Sequence, residues 1–482
     1  MPLDLGGDGP RVLELTCPAL VMPAVAGTVF VDATAASGGD GSKAAPFATI
    51  AQAFASAGQG GVIYVAAGTY KDSLAIPDKD LALYGGFAPG FAARTDGCAT
   101  ILEAPDRSQT VLVATDAKSF GLDGVTVQKG ARGLFVQADA EVDPMYTIAS
   151  SVFVDNGTVD DVGGGALLDN ASAKISRSVF RDNHAAKGAA IALGGEGGTT
   201  ISVEASLFER NIGHSDHGGA LYLSPTTGTI LRSTFRGNEI GRDTGYGGWG
   251  GAVVVFKSSV FPASLDFAYN VFTDNLAGVG AAVFIDDGAT ATMSHDLLYR
   301  NRAIRENGIA RGAAIYVDGL GDTGSRLVAD HLTVANNNYG EDGLVSPSRG
   351  GDVFLETFSS ATFTNSVFWN NGSEALFGDP TCSISVSYSI AASACAGTTD
   401  CTIGTGVFEP ATIEFVDEAA DDYHEKSTAG HFSKGTFVND DVSSPAIDKA
   451  DPAASSASEP APNGTRANLG AFGQTTEASK SP

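Results

Sequence analysis

Basic residues are scarce in this chain. Its 482 residues include 29 lysines and arginines against 56 aspartates and glutamates, which gives a formal net charge of −27. Because nucleic-acid phosphates require a basic protein surface, this deficit argues against a nucleic-acid partner. It argues less strongly against an anionic polysaccharide, since a local basic cleft can persist on an acidic protein. We interpret the acidity as a means of keeping an extracellular protein soluble.

Cysteine is also rare. The five cysteines are Cys17, Cys98, Cys382, Cys395 and Cys401, and none of them shows the C-x-x-C spacing typical of zinc sites. Their odd number prevents complete pairing within the chain. The last three are close in sequence, so we expect one disulfide among them, for example Cys382–Cys395 or Cys395–Cys401. Modest cysteine use in an acidic repeat protein favours an oxidising compartment.

Long apolar runs are absent as well. The stretch 20–29 is apolar, but Pro23 and Gly27 interrupt it, so no transmembrane segment is predicted. The first 15 residues lack the basic region and the apolar region of a secretory signal peptide. We expect that a signal has been removed and that the protein is extracellular or attached to the cell surface.

Helical periodicity is missing from the centre of the chain, and a repeated phrase takes its place. The first half of the phrase, S-x-F-x-x-N, recurs every 26 to 37 residues, and the second half is a glycine-rich turn followed by apolar residues. A fixed period in this range indicates a repeat architecture. The runs between the turns are short and rich in Val, Ile, Phe, Tyr and Thr, which predicts a solenoid of strands.

The repeat predicts which residues lie inside. Alternation along each strand gives one inward ladder after the glycine turn and a second ladder at the Phe position. The first ladder is Leu167, Ile191, Leu221, Val253, Val283, Ile315 and Val353. The second ladder is Phe153, Phe180, Phe208, Phe235, Phe272 and Phe368. The Asn that follows each Phe-type position by three residues is assigned to a turn, where amides of successive coils can stack; these are Asn156, Asn183, Asn211, Asn238, Asn275, Asn301, Asn336 and Asn371.

One amphipathic helix is predicted near the start. Phe47, Ile50, Ala51 and Phe54 follow the i, i+3, i+4, i+7 pattern directly after Pro46. A helix at this point would cover the open end of the solenoid. The terminal coil otherwise exposes its core and its strand edges.

Several stretches resemble a known superfamily. The run 30–32, 46–50, 63–70 and 84–86 resembles the N-terminal cap of bacterial pectate-lyase-like right-handed parallel β-helix proteins. The repeats resemble those of polymorphic outer-membrane proteins, and parts of 422–473 are similar to the closing segment of the same superfamily. The resemblance implies an all-β fold, a right-handed parallel β-helix with an N-terminal helical cap and an irregular C-terminal cap. It does not specify an activity, because the superfamily includes adhesins, lyases and hydrolases.

The predicted organisation has four parts. Residues 1–28 form a leader, 29–60 form the N-terminal cap, 61–401 form the β-helix, and 402–482 form the C-terminal cap. The repeat is lost at the start of the last part, where the composition shifts towards Ser, Ala and Pro. The tail from about Thr475 is expected to be flexible.

The inserts between each Asn and the next glycine turn vary in length, and stacking places them along one edge of the solenoid. Variable loops on a rigid scaffold often carry function. In the most unusual insert, one of two imidazoles could act as a general base, oriented by the carboxylate between them, with a tyrosine as acid and an arginine to neutralise a uronate carboxylate. An ordinary polar turn is the alternative. The candidate catalytic residues are His214, His217, Tyr246, Arg305 and Arg311.

A sugar site would use aromatic faces for sugar rings and polar groups for hydroxyls or carboxylates. One outward column of the strands is apolar: Phe135, Leu168, Tyr222, Val254, Phe284, Tyr316 and Phe354. Either the chain itself covers this column or the column is a binding platform; we expect covering, with two tyrosines reachable at the rim. The candidate substrate-binding residues are Asp216, Arg242, Trp249, Tyr222, Tyr316 and Arg349.

No cofactor is firmly implied. The acidic pairs at 160–161, 286–287 and 421–422 could hold calcium, but none of them matches a spaced calcium loop, and solvated turns are the alternative. The phrases N-T-D and G-H-G of polygalacturonases and W-I-D-H of pectate lyases do not occur.

Two functional hypotheses follow. The first is an adhesin-like, secreted or cell-surface protein that binds extracellular polysaccharide or a partner surface. The second is a polysaccharide-degrading enzyme, a uronate-specific lyase acting by β-elimination. Fold alone does not choose between them.

Overall fold

The computed structural model describes residues 8–482 apart from the following positions: 15–16, 95–96, 116–117, 242, 244, 246, 305–309, 340–350, 371–374, 392–394 and 396–399. The chain forms two compact units. Unit 1 comprises Leu13–Ala263, and unit 2 comprises 8–12 together with Ser264–Pro482. Each unit contains a right-handed parallel β-helix, in which the coil strands pair in parallel with their equivalents in the next coil. The predicted fold class is therefore confirmed.

Four rows of stacked strands build the coils of unit 1. Row 1 follows the glycine turn, row 2 precedes the Phe-type position, row 3 contains that position, and row 4 is two residues long. Row 1 is Leu74–Ala75, Leu112–Thr115, Leu134–Gln137, Ala166–Asp169, Ile191–Glu204, Leu221–Leu231 and Val253–Phe256, of which the two longest continue into row 2. The rest of row 2 is Val29–Val31, Gly61–Ala66, Leu81–Phe87, Phe120–Asp123, Met145–Ala149 and Ser172–Ser176. Row 3 is Gly68–Lys71, Thr100–Glu103, Thr126–Gln128, Val152–Val154, Val179–Arg181, Leu207–Glu209 and Thr234–Arg236, and row 4 is His184–Ala185, Ile212–Gly213 and Glu239–Ile240.

Unit 2 repeats this arrangement and adds the C-terminal cap. Row 1 is Val283–Asp286, Ile315–Val317, Val353–Leu355 and Leu376–Gly378, and row 2 is Ser264–Ala268, Thr290–Ser294, Arg326–Asp330, Ser360–Thr364, Ser383–Ser387 and Asp400–Ile403. Row 3 is Val271–Thr273, Leu297–Tyr299, Thr333–Ala335, Val367–Trp369 and Ile390–Ala391, and row 4 is Leu276–Ala277, Arg302–Ala303 and Asn338–Tyr339. The cap contains the antiparallel pairs Phe415–Asp417 with Asp422–Glu425 and His431–Ser433 with Thr436–Val438, and a 3₁₀ turn at Glu418–Ala420.

The predicted N-terminal helix is present but begins later than its apolar pattern. It spans Ile50–Ser56 because Thr49 caps it: the Thr49 hydroxyl accepts a hydrogen bond from the Gln52 amide (3.3 Å), and the Gln52 side chain accepts one from the Thr49 amide (3.2 Å). This reciprocal capping box satisfies two N–H groups that the helix itself leaves unpaired. Phe54 is buried and packs edge-on against Phe120.

The predicted Phe ladder is confirmed. In unit 1 its rings are fully buried and stack at centroid distances of 4.8, 5.4 and 4.7 Å. The members of this stack are Phe153, Phe180, Phe208 and Phe235. Each buried ring contributes roughly 1.5–3 kcal/mol relative to an exposed one.

The predicted ladder after the glycine turn is wrong in one coil. The strand register pairs Ile191 with Ala166, not with Leu167. Leu167 therefore faces outward, and Leu168, which was expected to be outward, is fully buried. The error arises because three successive glycines, 163–165, allow two alignments of the repeat, and only the stacked backbone selects one of them.

The predicted structural role of the repeated Asn is confirmed. Asn211 is fully buried; its Nδ2 donates to Oδ1 of Asn238 (2.9 Å) and to the carbonyl of Phe180 (2.9 Å). Its Oδ1 accepts from Nδ2 of Asn183 (3.0 Å). The described ladder contains Asn156, Asn183, Asn211 and Asn238 in unit 1 and Asn275, Asn301 and Asn337 in unit 2.

One predicted member of this ladder is misplaced. Asn301 donates to Asn337 (2.9 Å), so Asn337 and not Asn336 continues the ladder. The cause is the register of row 3, in which Val334 rather than Thr333 occupies the Phe position. Three consecutive Asn residues, 336–338, make the sequence ambiguous here. The predicted Asn371 lies outside the described residues.

The C-terminal cap is held against row 3 of unit 2. Tyr423 is buried with its ring 4.7 Å from that of Tyr299, in a cluster that also includes Phe472. The end of the cap differs from the expected flexible tail: Thr475 is fully buried, and Asn468 Nδ2 donates to the carbonyl of Ser479 (2.7 Å). Packing and internal hydrogen bonds thus fix a stretch whose composition resembles a loose tail.

Two disulfides are present, Cys17–Cys98 within unit 1 and Cys395–Cys401 within unit 2. The second is one of the two pairings expected from the sequence, and Cys382 remains as a buried thiol. Among the described residues, no helix is long and apolar enough to cross a membrane.

Candidate functional site

The most unusual insert lies at the edge of row 1 in unit 1. Gly218 follows it with φ of +70°, and a side chain at this position would bring Cβ within 2.6 Å of the Leu221 carbonyl. Glycine is therefore required for the turn that starts row 1. Directly before the turn, His217 bridges to Trp249 of the next coil, and the Trp249 amide donates to the Asp216 carbonyl (2.7 Å).

His217 lies in an aromatic pocket. Its ring is edge-on to Trp249 (4.5 Å between centroids), Phe256 (4.8 Å) and Tyr222 (6.2 Å), and its side chain is 12% exposed. Burial, together with the positive charge of Lys187, lowers the pKa of His217 to about 4. The imidazole is therefore neutral at physiological pH, and its low basicity makes it a weak general base.

His214 belongs to a different set of contacts. Its Nδ1 lies 2.5 Å from a carboxylate oxygen of Asp243, and its Nε2 lies 3.1 Å from Nδ1 of His184. The result is a hydrogen-bonded series, Asp243–His214–His184, that extends over three coils. The two predicted histidines thus do not form one catalytic group.

Lys187 connects the insert edge to the row 1 surface. Its ammonium lies 5.8 Å from the centroid of the Tyr222 ring and 3.6 Å from the Asp216 carboxylate. A hydrogen bond from Ser215 and the charge of Lys187 lower the pKa of Asp216. The Lys187 ammonium lies over the Tyr222 ring, which remains partly exposed.

A groove of about 180 Å³ lies next to Tyr222 on the outer surface of row 1. The register explains it. Along one outward column the residues are Phe135, Leu167, Ala192, Tyr222 and Val254, and along the next they are Gln137, Asp169, Gly194 and Ser224. One coil therefore presents only a methyl group and a glycine where its neighbours present larger side chains, which leaves a notch one coil wide. We call this notch the Tyr222 groove.

The polar rim of the Tyr222 groove consists of the Asp169 carboxylate and Ser224. Burial, and next the charge of Glu196, raise the pKa of Asp169. Glycine is needed at the floor, since a Cβ at Gly194 would lie 1.9 Å from the Ser224 carbonyl. Sequence analysis missed Asp169, Ala192 and Gly194, because no motif marks these positions. They can be placed in one groove only when the register between the strands is known.

The predicted residues of unit 2 are engaged with one another. Arg311 donates to the Glu356 carboxylate (2.6 Å) and lies 5.0 Å from the centroid of the Phe354 ring. Tyr316 also hydrogen-bonds Glu356, and it is only 5% exposed. Burial raises the pKa of the Tyr316 phenol. The expectation that the outward column is covered holds for these rings, whereas Tyr316 is not at an accessible rim.

The remaining predicted site residues, Tyr246, Arg242, Arg305 and Arg349, lie outside the described residues. Within the described part of the chain, no group of three or more His, Cys, Asp or Glu side chains is placed to hold a metal ion. Calcium binding stays a prediction, which a calcium titration followed by intrinsic fluorescence would test.

The stacked parallel strands and the two caps define a right-handed parallel β-helix. Residues 35–77 match the model of a family described as a protein of unknown function (DUF1565). A comparison with curated protein sequences finds no match.

Several solved structures are similar over much of the chain at low identity. Pectate lyase Pel9A has 15% identity and a TM-score of 0.46, covering 93% of this chain and 97% of that chain. The catalytic unit of a thermostable GH87 α-1,3-glucanase from Streptomyces thermodiastaticus strain HF3-3 has 15% identity and a TM-score of 0.36, covering 82% and 70%. A rhamnogalacturonan lyase has 11% identity and a TM-score of 0.30, covering 86% and 95%.

Proposed function

We propose that this protein binds polysaccharide on the outer surface of row 1 in unit 1, with the Tyr222 groove as the central subsite. The observation that carries the proposal is the wall of this groove, where the partly exposed Tyr222 ring stands across a floor of Ala192 from Leu167. A carboxylate and a hydroxyl, from Asp169 and Ser224, complete the rim.

This arrangement matches the chemistry of a sugar ring. The C–H face of a sugar packs on an aromatic ring, and its hydroxyls donate to carboxylate and hydroxyl oxygens. The groove volume of about 180 Å³ is smaller than the roughly 300–1,000 Å³ of pockets for drug-sized ligands, so it suits one sugar residue. Neighbouring coils repeat at about 4.8 Å, which provides a straight surface along which further residues of a chain can lie.

The groove is preorganised by its surroundings. Lys187 and the edge of His217 hold Tyr222 from the insert side, so little side-chain freedom is lost when a ligand binds. The backbone of the floor is fixed by the parallel ladder on both sides, through the pairs Ala192 with Leu167 and Ala192 with Tyr222.

Titration calorimetry against a panel of soluble polysaccharides tests the proposal. The Tyr222→Ala variant is expected to bind at least about tenfold more weakly than the wild type, because the stacking surface is lost. Phe358→Ala is the matched control, since Phe358 is an exposed aromatic residue of unit 2 that is not part of the groove. Equal affinity of the wild type and Tyr222→Ala, or no binding across the panel, would contradict the proposal.

Degradation of a uronate-containing polysaccharide by β-elimination is the second candidate function. It is favoured by the Asp243–His214–His184 series, in which a carboxylate orients an imidazole as it does for a general base. The test is the ultraviolet absorbance of an unsaturated product, and His214→Ala is expected to remove it. Absence of this absorbance with every uronate polymer of the panel argues against the enzyme.

The proposed location is extracellular or at the cell surface. The Cys17–Cys98 disulfide supports this proposal, because such bonds persist in oxidising compartments. Detection of the protein in the medium, or its digestion by protease added to intact cells, tests the location. Recovery only after cell lysis would contradict it.

A further inference from the structure

We infer that the Tyr222 groove selects uncharged sugar residues and rejects uronates. The inference rests on the proposed polysaccharide binding and names the class of ligand. It differs from the uronate specificity of the second hypothesis drawn from the sequence. Its basis is the balance of charge around the groove.

Among the described residues, the carboxylate that faces the groove has no positive partner. Asp169 makes no ion pair and no side-chain hydrogen bond with any other described residue. The charge of Glu196 acts on it with the same sign, and burial adds to the effect, so the pKa of Asp169 is raised. The Asp169 carboxylate therefore lines the groove without a compensating positive charge among the described residues, and the charge of Glu196 adds to its own.

The cations near the groove are already engaged. Lys187 lies 3.6 Å from Asp216 and over the face of Tyr222. The Arg132 guanidinium lies 2.5 Å from a carboxylate oxygen of Asp161. Each cation has a carboxylate partner in the described chain, so neither offers an unpaired charge to a uronate.

The consequence for a ligand is direct. A sugar hydroxyl can donate to Asp169, and a hydrogen bond to an ionised acceptor is stronger than one between neutral groups. A uronate carboxylate at the same place cannot donate, and it meets Asp169 and Glu196 as like charges. For a partly hydrated site with charges about 6 Å apart, this repulsion weakens binding about tenfold.

A matched pair of polymers tests the inference. Polygalacturonate and its carboxyl-reduced form share chain length and linkage and differ only at C6, where a carboxylate is replaced by a neutral hydroxymethyl group. Alginate with its carboxyl-reduced form gives a second linkage. Calorimetry at low and physiological salt measures the dissociation constants. The reduced form is expected to bind at least about tenfold more tightly at low salt, with a smaller ratio at higher salt because the repulsion is screened.

The Asp169→Asn variant isolates the cause. It is expected to bind the uronate form more tightly than the wild type, which narrows the ratio between the two forms. Glu204→Gln is the control, since Glu204 is an exposed carboxylate on row 2 of the same unit. The ratio of the dissociation constants for the uronate and reduced forms should be the same in this variant as in the wild type.

The outcomes separate the two proposals. If the uronate form binds as tightly as the reduced form or more tightly, and Tyr222→Ala abolishes that binding, the ligand class is overturned while polysaccharide binding stands. An unchanged ratio in Asp169→Asn also overturns the inference. If neither form of either pair binds, the proposed function itself fails and the inference falls with it.

Discussion

The stability of unit 2 is expected to fall as the pH rises from 5 to 8, and Glu425 is one of the buried carboxyl groups that cause this loss. Glu425 lies in the cap strand Asp422–Glu425 and is fully buried. Burial raises its pKa from an ordinary 4.5 to about 8, and the charges of Glu459 and Asp422 act in the same direction. The carboxyl group is therefore protonated in the folded protein at neutral pH.

The sign and size of the effect follow from proton binding. Between pH 4.5 and about 8 the folded protein holds a proton on Glu425 that the unfolded chain has released, so rising pH favours unfolding. The stability present at low pH is lost progressively through this window. At about 1.36 kcal/mol per pH unit, the complete loss is about 5 kcal/mol.

Urea unfolding at pH 5, 6, 7 and 8 measures this dependence. Trp369 packs against the core of the cap, and its fluorescence reports on unit 2 if Trp249, the other tryptophan, is replaced by Phe in all samples. Glu425→Gln removes the ionisation and keeps the shape, so the free energy of unfolding of this variant is expected to depend less on pH than that of the wild type. Glu409→Gln, at an exposed glutamate of the same segment, should retain the full dependence.

The comparison between the variants is necessary because other groups also titrate. Burial also raises the pKa of Asp286 and of Asp296 to about 8, and it raises the pKa of Asp352, Glu459 and Glu477. The net charge of −27 adds general repulsion as the pH rises. The difference between Glu425→Gln and the wild type removes these shared contributions. If the two proteins lose stability in parallel between pH 5 and 8, Glu425 does not retain its proton in the folded state and the reasoning is refuted.

Three further outcomes are expected. Asn211→Ala removes four buried hydrogen bonds and should cost about 4 kcal/mol in urea unfolding of unit 1, and a cost below about 1 kcal/mol would contradict a structural ladder. Cys98→Ser opens a disulfide that spans 81 residues and should cost up to about 4 kcal/mol, whereas an unchanged urea midpoint would show that the leader contributes nothing. Ala192→Phe should fill the Tyr222 groove and lower polysaccharide affinity at least about tenfold without changing the melting temperature, and retained affinity would place the ligand elsewhere.

Much of the fold could be predicted from the sequence because each coil carries the same residue types at the same positions of the repeat. A Phe such as Phe208 has a ring above and a ring below, and an Asn such as Asn211 has an amide on either side. Errors occurred where the sequence allows two frames. Because of the three glycines at 163–165, the sequence predicts Leu167 in the core, whereas it faces outward in the structure. Because of the three asparagines at 336–338, the sequence places Asn336 in the ladder position that Asn337 occupies.

The candidate site could be predicted only in part. The insert His214–His217 stood out because the repeat does not account for it, but its two histidines entered different environments. Pairing between coils decides this, since His184 and Asp243 come from the coils on either side of His214. Such partners are about 30 residues distant in sequence, and no spacing within one insert reveals them.

The Tyr222 groove shows why a repeat protein can change its ligand without changing its fold. Inward positions are constrained by the coils on both sides, so a substitution at Phe208 disturbs two neighbouring rings. Outward positions carry no such constraint, and Ala192 can be small because only the floor of the groove depends on it. A single coil therefore sets the shape of the subsite, while the ladders of the adjacent coils keep its walls in place. Function in this solenoid is expected wherever one coil departs from the outward pattern of its neighbours.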